Sequence, residues 1–419
     1  MTAEVAIMNK LGMSMAADSA VTSGREGVQK VYNSANKLFS ISKQHPIGIM
    51  VFGSASFMEV PWEVIIKSFR DYIGNKRFDV VDDYFQHFIE FLNDDERFKV
   101  EEIEEIIIHR TFSDVLKRVV KKVEEQINNH KSVGEEVSDS NVTEWLTKTV
   151  EENIATFQEM EKVYLDLEYQ AFQKRFQSVV TEIKQDLITY EIPADLEDKL
   201  TRLAFEATKK NFFSLGSSGI VIAGYGEKEI FPHLLEYRLE GFVFGQLKYK
   251  KLRERKINYT LDKDDGTASI IPFAQREMVD SFMGGIEPSM EDAVFGIIER
   301  VLSGYPEQIQ KHLDIHFSEE QVSALEKMGN ELYDSIVDSV EEYRMDYYIK
   351  PLLGIVRSLP KEELAEMAEA LVNLTSFKRR VTRETESVGP PIDVAVITKG
   401  DGFVWIKKKS YYDPELNLY

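Results

Sequence analysis

Strand-forming segments occur in three separate parts of this chain, and long helix-periodic stretches lie between them. Short apolar runs bounded by Gly, Pro and Asn mark strands near the N-terminus, in the region of residues 219–273 and close to the C-terminus. The stretches between them are charged and repeat their apolar residues at helical spacing. Because surface connections tolerate added length, we expect a β-rich core that is interrupted by two helical insertions.

This interpretation divides the 419 residues into five parts. They are the N-terminal half of the core (1–77), a largely helical insertion (78–211), the second part of the core (212–304), a second helical insertion (305–360), and a C-terminal helix with the closing strands (361–419).

The charge and composition exclude several classes of protein. The net charge is −21, with 72 acidic and 51 basic residues, which argues against binding to nucleic acid or to acidic membranes. The absence of cysteine excludes disulfides, thiol nucleophiles and thiolate metal sites. We see no signal-peptide pattern before the first strand and no apolar run near the ~20 residues that span a bilayer. We therefore expect a cytoplasmic protein that does not contact membranes.

The first 22 residues, MTAEVAIMNKLGMSMAADSAVT, predict a β-hairpin. Two apolar runs flank NKLG, which has the composition of a turn. If the hairpin turns about Lys10 and Leu11, the numbers of paired residues sum to about 21. Thr2 then lies opposite Asp18 or Ser19, so a hydroxyl and a carboxylate meet at the open end of the hairpin.

A threonine at this position is a candidate nucleophile. Its hydroxyl needs a base, and a free α-amino group with a pKa near ~8 can serve as one. Methionine is generally removed before a small residue, so we expect loss of Met1 to expose that amine on Thr2. A lysine would stabilise the developing alkoxide, and a carboxylate would hold the lysine charged. Lys37 is the leading candidate for the cation, and Asp18 for the carboxylate.

Other motifs give weaker signals. The glycines of SSGIVIAGYGEKE (Gly219, Gly224 and Gly226) have the wrong spacing for a dinucleotide site and predict a strand and a turn. His312 and His316 lack an obvious third ligand and favour an exposed helix surface. The acidic run of residues 101–105 is typical of an exposed helix face, and binding of a metal or of a basic partner stays open as an alternative. We expect no metal and no cofactor.

From Thr2 to about residue 72 the sequence resembles the proteasome β-subunits and the peptidase subunit of the bacterial two-component ATP-dependent protease. Members of this family of N-terminal nucleophile hydrolases begin with the catalytic threonine and carry an aspartate sixteen positions later, as Thr2 and Asp18 do in MAADSAVT. Asn36 and Lys37 match an Asn-Lys pair that enters the family's next strand. The segment GIMVFGSAS ends in Gly53, which would inherit the role of oxyanion donor through its backbone N–H.

The outer positions of the family pattern match less well. The segment IIPFAQREMVDSFM has Phe273 or Gln275 where the family places a serine near the threonine. The family's second aspartate and serine fall near Glu386 and Ser387. Ser19 follows Asp18 in the A-x-D-S-like strand end and completes the candidate outer set.

The resemblance implies an α+β fold, a four-layer αββα sandwich of two antiparallel sheets, here with helical insertions. It implies a threonine-type peptidase that hydrolyses peptides or unfolded proteins, assembles as a homo-oligomer such as a ring, and works with an ATP-dependent unfoldase. Two alternatives stay open: an inactive proteasome-like scaffold that binds a partner, and a small-molecule amidase on the same fold.

Overall fold

The structure is a computed structural model that describes residues 2–23, 30–41, 44–163, 166–259, 266–382 and 388–410. In chain order, the strands within these residues are β1 (Ala3–Asn9), β2 (Gly12–Ala17), β3 (Val21–Ser23), β4 (Lys30–Tyr32), β5 (Leu38–Ser40), β6 (Ile47–Gly53), β7 (Ser56–Phe57), β8 (Val60–Pro61), β9 (Ser218–Gly224), β10 (His233–Val243), β11 (Gln246–Lys256), β12 (Ala268–Ala274), β13 (Asp393–Thr398) and β14 (Gly402–Lys407). The α-helices are α1 (Trp62–Ile73), α2 (Val81–Asp94), α3 (Glu101–Ser132), α4 (Asp139–Glu159), α5 (Tyr169–Leu187), α6 (Ala194–Lys209), α7 (Glu277–Gly284), α8 (Pro288–Leu313), α9 (Glu319–Arg344), α10 (Lys350–Val356) and α11 (Lys361–Val381).

Two five-stranded sheets contain most of the strands. The first has the order β12-β1-β2-β13-β14, and the second has the order β11-β10-β9-β6-β5. The α+β class with two antiparallel sheets and many added helices is therefore confirmed. The face-to-face packing of an αββα sandwich and the five-part division of the chain stay predictions.

The chain divides into two compact units. The first unit comprises Met1–Leu38, Ile230–Pro232 and Lys256–Tyr419, and the second comprises Phe39–Glu229 and His233–Arg255. Among the helices within the described ranges, none is both long and apolar enough to cross a lipid bilayer.

Helix α11 covers the first sheet in the first unit. Its buried residues recur three, four and seven positions apart, so they form one face of the helix. That face contacts β1, β2 and β13. The shared core includes Val5, Ile7, Val394, Val396, Leu364, Ala368, Leu371 and Val372. This packing holds β1, and with it the N-terminal residues, in a fixed position.

Helices α3, α4, α5 and α6 pack together in the second unit, whose core is rich in aromatic residues. One residue of the acidic run in α3 departs from the expected exposed face. Glu104 is buried and forms an ion pair with Arg175 at 2.8 Å, whereas Glu101, Glu102 and Glu105 are exposed. The prediction of a wholly exposed acidic face was therefore wrong at Glu104.

Candidate active site

The β1–β2 hairpin places Thr2 and Asp18 at the same end of the first sheet. The numbers of its paired residues sum to 21, from Asn9 with Gly12 to Glu4 with Ala17. The pairing continues beyond the strands, because the backbone N–H of Asp18 donates to the carbonyl of Ala3 at 3.1 Å. The register predicted from the sequence is confirmed.

The Asp18 carboxylate is completely buried and accepts hydrogen bonds on both oxygens. Oδ1 accepts from Lys37 Nζ at 2.7 Å and from the Ala3 N–H at 3.0 Å. Oδ2 accepts from the Ala20 N–H at 3.0 Å and from the Gly389 N–H at 3.2 Å. An ionised carboxylate offers about four acceptor sites, so these donors match the capacity of the anion.

Lys37 precedes strand β5 and is buried together with Asp18. The side chains of the pair are 7% and 0% exposed. A buried ion pair contributes little net stability compared with apolar side chains of similar volume, because both charges lose their hydration. The burial of the pair is therefore not by itself evidence of a large stabilising contribution.

Thr2 is 4% exposed, and its backbone is fixed from the side of β12. Its carbonyl accepts from the Gln275 N–H at 3.0 Å, and the next residue, Ala3, pairs with Ala274. The structure thus brings the backbone of Gln275 to Thr2, and the role of the Gln275 side chain in the candidate outer set stays a prediction. Phe273, the other residue considered at that position, is buried and pairs with Glu4.

Ser19 connects the hairpin to the segment that leads into β13. Its hydroxyl donates to the carbonyl of Pro391, and its backbone N–H donates to the carbonyl of Gly389 at 3.1 Å. Glu386 and Ser387, the other two candidates from this part of the chain, lie outside the described residues.

Sequence reasoning missed Gly389 as a partner of Asp18. It supplies an N–H to Asp18 and a carbonyl to Ser19, so its backbone closes the site from the C-terminal part of the chain. The signal was the Gly-Pro-Pro run before β13: the two prolines have no N–H, so in this run the glycine is the residue that can donate one.

Gly53 ends strand β6 in the second unit. Its φ is +83°, and a Cβ at this position would lie 2.5 Å from the carbonyl oxygen of Ser217. The backbone at Gly53 therefore requires glycine. Its role as an oxyanion donor to Thr2 stays a prediction.

The weaker motifs have simpler explanations in the structure. Gly219 and Gly224 lie in strand β9, and the chain after Gly224 turns into β10 without a helix. His312 is exposed near the end of α8, whereas His316 lies beyond that helix, so the two do not share a helix face.

Comparisons with known proteins give no family assignment. No protein-family model matches the chain, and no curated protein matches it. The chain is similar to the solved structure of the Gly-1 mutant of Anbu from Hyphomicrobium sp. strain MC1, with 9% sequence identity and a TM-score of 0.29. That match covers 100% of this chain and 90% of the Anbu chain. A likeness at this level carries no argument about the site, whose chemistry has to be argued from its own geometry.

Proposed function

We propose that this chain is a threonine-type amide hydrolase whose nucleophile is Thr2 after removal of Met1. One observation carries the proposal: a single oxygen, Asp18 Oδ1, contacts both the ammonium of Lys37 and the backbone N–H of Ala3. A buried positive charge therefore lies two hydrogen bonds away from the residue that follows Thr2.

The proposed reaction uses the side chains of Thr2, Asp18 and Lys37, together with the backbone of Gly53. Thr2 Oγ1 attacks the amide carbonyl, and the Thr2 amine takes the hydroxyl proton and passes it to the leaving nitrogen. The C–N bond breaks and an ester on Thr2 remains, which water hydrolyses with the same amine as base. Lys37 stabilises the developing alkoxide, and Asp18 keeps Lys37 charged and oriented. The N–H of Gly53 is the candidate donor to the oxyanion.

The proposed substrates are peptides or unfolded proteins, with an ATP-dependent unfoldase as a candidate partner, in line with the family that the sequence resembles. An inactive scaffold would keep the Asp18–Lys37 pair without cleaving amides. A small-molecule amidase would use the same residues and reject polypeptides. These alternatives are outcomes of the test.

Two measurements test the proposal together: whether Met1 is removed, and whether Thr2→Ala loses amide cleavage. We expect intact-mass measurement to find a chain that begins at Thr2, because the mechanism needs its amine. The purified chain should cleave labelled unfolded casein or a fluorogenic peptide amide, and Thr2→Ala should abolish cleavage. Thr382→Ala, which removes an exposed threonine hydroxyl at the end of α11, serves as the matched control and should keep full activity.

The outcomes separate the alternatives. Full cleavage by Thr2→Ala, or retention of Met1 on most molecules, would overturn the proposal. Acylation of Thr2 by an activated ester without cleavage of either polypeptide would favour the small-molecule amidase. Equal melting temperatures of wild type and Thr2→Ala would show that the loss is not caused by unfolding.

A further inference from the structure

His233 is a buried histidine of the second unit whose orientation is fixed by a carboxylate. Its side chain is 1% exposed, and its Nδ1 lies 2.7 Å from Glu229 Oε1. The other oxygen of Glu229 accepts from the N–H groups of Gly226 at 2.8 Å and Val81 at 3.0 Å. An ionised carboxylate only accepts hydrogen bonds, so the proton between His233 and Glu229 belongs to Nδ1.

The other ring nitrogen, Nε2, is buried and makes no hydrogen bond to any residue that the structure describes. It lies 3.3 Å from Glu254 Oε1, and the ring lies close to a second carboxylate, with Asp82 Oδ2 3.7 Å from Nδ1. In the tautomer that donates from Nδ1, Nε2 carries a lone pair. A lone pair and a carboxylate oxygen that face each other at 3.3 Å repel unless a proton or a metal cation lies between them.

The spacing of these groups suits a metal ion. One ligand atom from each of Asp82, His233 and Glu254 lies within 4.8 Å of the other two. A tetrahedral ion with bonds of about 2.0–2.2 Å to nitrogen and oxygen holds its ligand atoms about 3.3–3.5 Å apart. The separation between Nε2 and Glu254 Oε1 falls at this value. A carboxylate on the far nitrogen of the histidine, as Glu229 provides, is the usual outer partner of a metal-binding histidine.

We propose that Asp82, His233 Nε2 and Glu254 bind a divalent transition-metal ion, with Glu229 as the positioning residue of the histidine. One imidazole nitrogen and two carboxylates form a mixed ligand set. Such a set favours Zn²⁺ over Mg²⁺ and Ca²⁺, which prefer ligand sets made of oxygen alone. Water completes the coordination sphere. The cluster lies wholly in the second unit, and it is independent of the chemistry proposed for Thr2.

Lys251 competes with the metal for the charge of the same two carboxylates, through their other oxygens. Its Nζ lies 2.7 Å from Glu254 Oε2 and 3.4 Å from Asp82 Oδ1, so it neutralises both carboxylates in the metal-free chain. The Lys251 side chain is 38% exposed and is able to move into solvent. Binding of the ion should therefore release this lysine, and Lys251→Met should bind the ion more tightly than wild type does.

Calorimetric titration of the chelator-treated full-length chain tests the site with ZnCl₂, MgCl₂ and CaCl₂ as separate probes. We expect one tight equivalent of Zn²⁺ that also raises the melting temperature, because the ion binds the folded state. Glu229→Gln should weaken binding by about 10–100-fold, the usual cost of losing an outer partner. Glu254→Gln and Asp82→Asn remove direct ligands and should weaken it by at least as much.

Two controls separate this cluster from surface binding. Glu161→Gln removes an exposed carboxylate that pairs with Lys250 of the same strand as Lys251, at 2.6 Å, and should leave Zn²⁺ binding unchanged. His130→Ala removes an exposed histidine that pairs with Glu135 and should also leave the tight equivalent unchanged. Near-ultraviolet circular dichroism of each variant reports its folding, and Asp82→Asn replaces Glu254→Gln if the latter does not fold.

Three results would overturn the proposal. The first is the absence of a saturable equivalent of Zn²⁺ in wild type. The second is wild-type affinity in both Glu254→Gln and Asp82→Asn. The third is tighter binding of Mg²⁺ or Ca²⁺ than of Zn²⁺, which contradicts the ligand class. Unchanged or weaker Zn²⁺ binding by Lys251→Met would overturn the competition between that lysine and the ion.

Discussion

The carboxylate of Asp18 accepts hydrogen bonds from four separate stretches of the chain. Ala3 belongs to β1, Ala20 follows β2, Lys37 precedes β5, and Gly389 precedes β13. The donor from Gly389 depends on the C-terminal strands, since β13 pairs with β2. All four donors belong to the first unit.

Replacement of Lys37 should remove the positive charge without opening the hairpin. We expect Lys37→Met to lower kcat for amide cleavage by about 10²–10³-fold, the usual cost of losing one electrostatic group that stabilises the transition state. Lys37→Arg should restore only part of the rate, because the guanidinium is bulkier and does not lose its proton. Steady-state kinetics with the fluorogenic peptide amide measures both variants. Lys408→Met, at an exposed lysine, should match wild type, and full activity of Lys37→Met would contradict the role given to Lys37.

Lys248 is a second buried lysine, and its surroundings differ from those of Lys37. Its Nζ donates to the carbonyls of Thr208 at 2.9 Å and Ala207 at 3.3 Å, and also to that of Phe212. Burial lowers the pKa of Lys248 to about 8, and the nearby charge of Glu240 opposes this shift. Burial also raises the pKa of Glu240 above its usual range.

The lowered pKa of Lys248 predicts a stability that rises with pH. Between pH 8 and about 10.4 the unfolded chain keeps the lysine proton and the folded chain loses it, so the free energy of unfolding increases with pH. The increase should be about 3 kcal/mol across this window, at 1.36 kcal/mol for each pKa unit. Urea unfolding at several pH values should show this slope in wild type and in Lys250→Met, and lose it in Lys248→Met. The same slope in Lys248→Met would contradict the assignment.

Strand β6 ends at Gly53, where both the backbone conformation and a close contact favour glycine. Gly53 has φ +83°, and the space beside it is filled by the carbonyl of Ser217. Gly134, after α3, has nearly the same φ of +82°, but nothing lies within 4 Å of its missing Cβ. The two positions therefore separate the cost of backbone conformation from the cost of a close contact.

Alanine at these two glycines should give different losses of stability. Gly134→Ala should cost about 1–2 kcal/mol, the penalty of a left-handed conformation for a residue with a Cβ. Gly53→Ala should cost about 1–3 kcal/mol more, since the added methyl overpacks against the Ser217 carbonyl. Chemical denaturation of both variants measures the difference. Equal losses would show that the chain at Ser217 shifts without cost.

The strands of the two five-stranded sheets were predictable from the sequence because each carries a local signal, whereas the short pairs β3–β4 and β7–β8 were not predicted. The runs VAIM and MSMAA, with a turn between them, fixed the register that brings Asp18 to the end of β1. DVAVITKG and GFVWIKKK likewise became β13 and β14. A strand is predicted from an alternating or continuous apolar run with turn residues at both ends. This signal lies within a few neighbouring residues, so it does not depend on distant parts of the chain.

The missed contacts all join residues that are far apart in sequence. Glu104 was interpreted as exposed, but it accepts from the N–H groups of Phe244 at 3.0 Å and Gly245 at 3.2 Å, in the turn between β10 and β11. The tertiary position of that turn decides its burial, and an acidic run in a helix gives no signal of it. His233 also gave no signal in the sequence, because Asp82 and Glu254 approach it only in the folded second unit.

The helices α8 and α9 bear on the assembly of the whole molecule. The two helices pack against each other, but each of them buries a single residue within the described chain. That residue is Pro306 in α8 and Gly329 in α9. Large apolar side chains stay exposed on both helices, at Met290, Ile297, Val301, Met328 and Leu332. Apolar surface of this kind on neighbouring helices is typical of a surface that another chain covers. A second copy of this chain is the partner that fits the expected homo-oligomer. The charged sequence of the helical insertions predicts instead that they lie on its outer surface, and α9 belongs to one of those insertions.

The homo-oligomer predicts a solution mass above that of one 48.3 kDa chain. A ring forms when two different faces of each subunit bind each other around a closed circle. Burial of unpaired charges is costly, so we expect such a contact to bury apolar surface. We expect multi-angle light scattering at micromolar concentration to give a multiple of the chain mass, and Val301→Lys with Leu332→Lys to lower it. Ser303→Lys adds a positive charge at an exposed polar position of α8 and should leave the mass unchanged.

A wild-type mass of one chain would rule out the ring and leave a monomeric amidase or scaffold. An oligomer that survives the double substitution would place its contact on another surface.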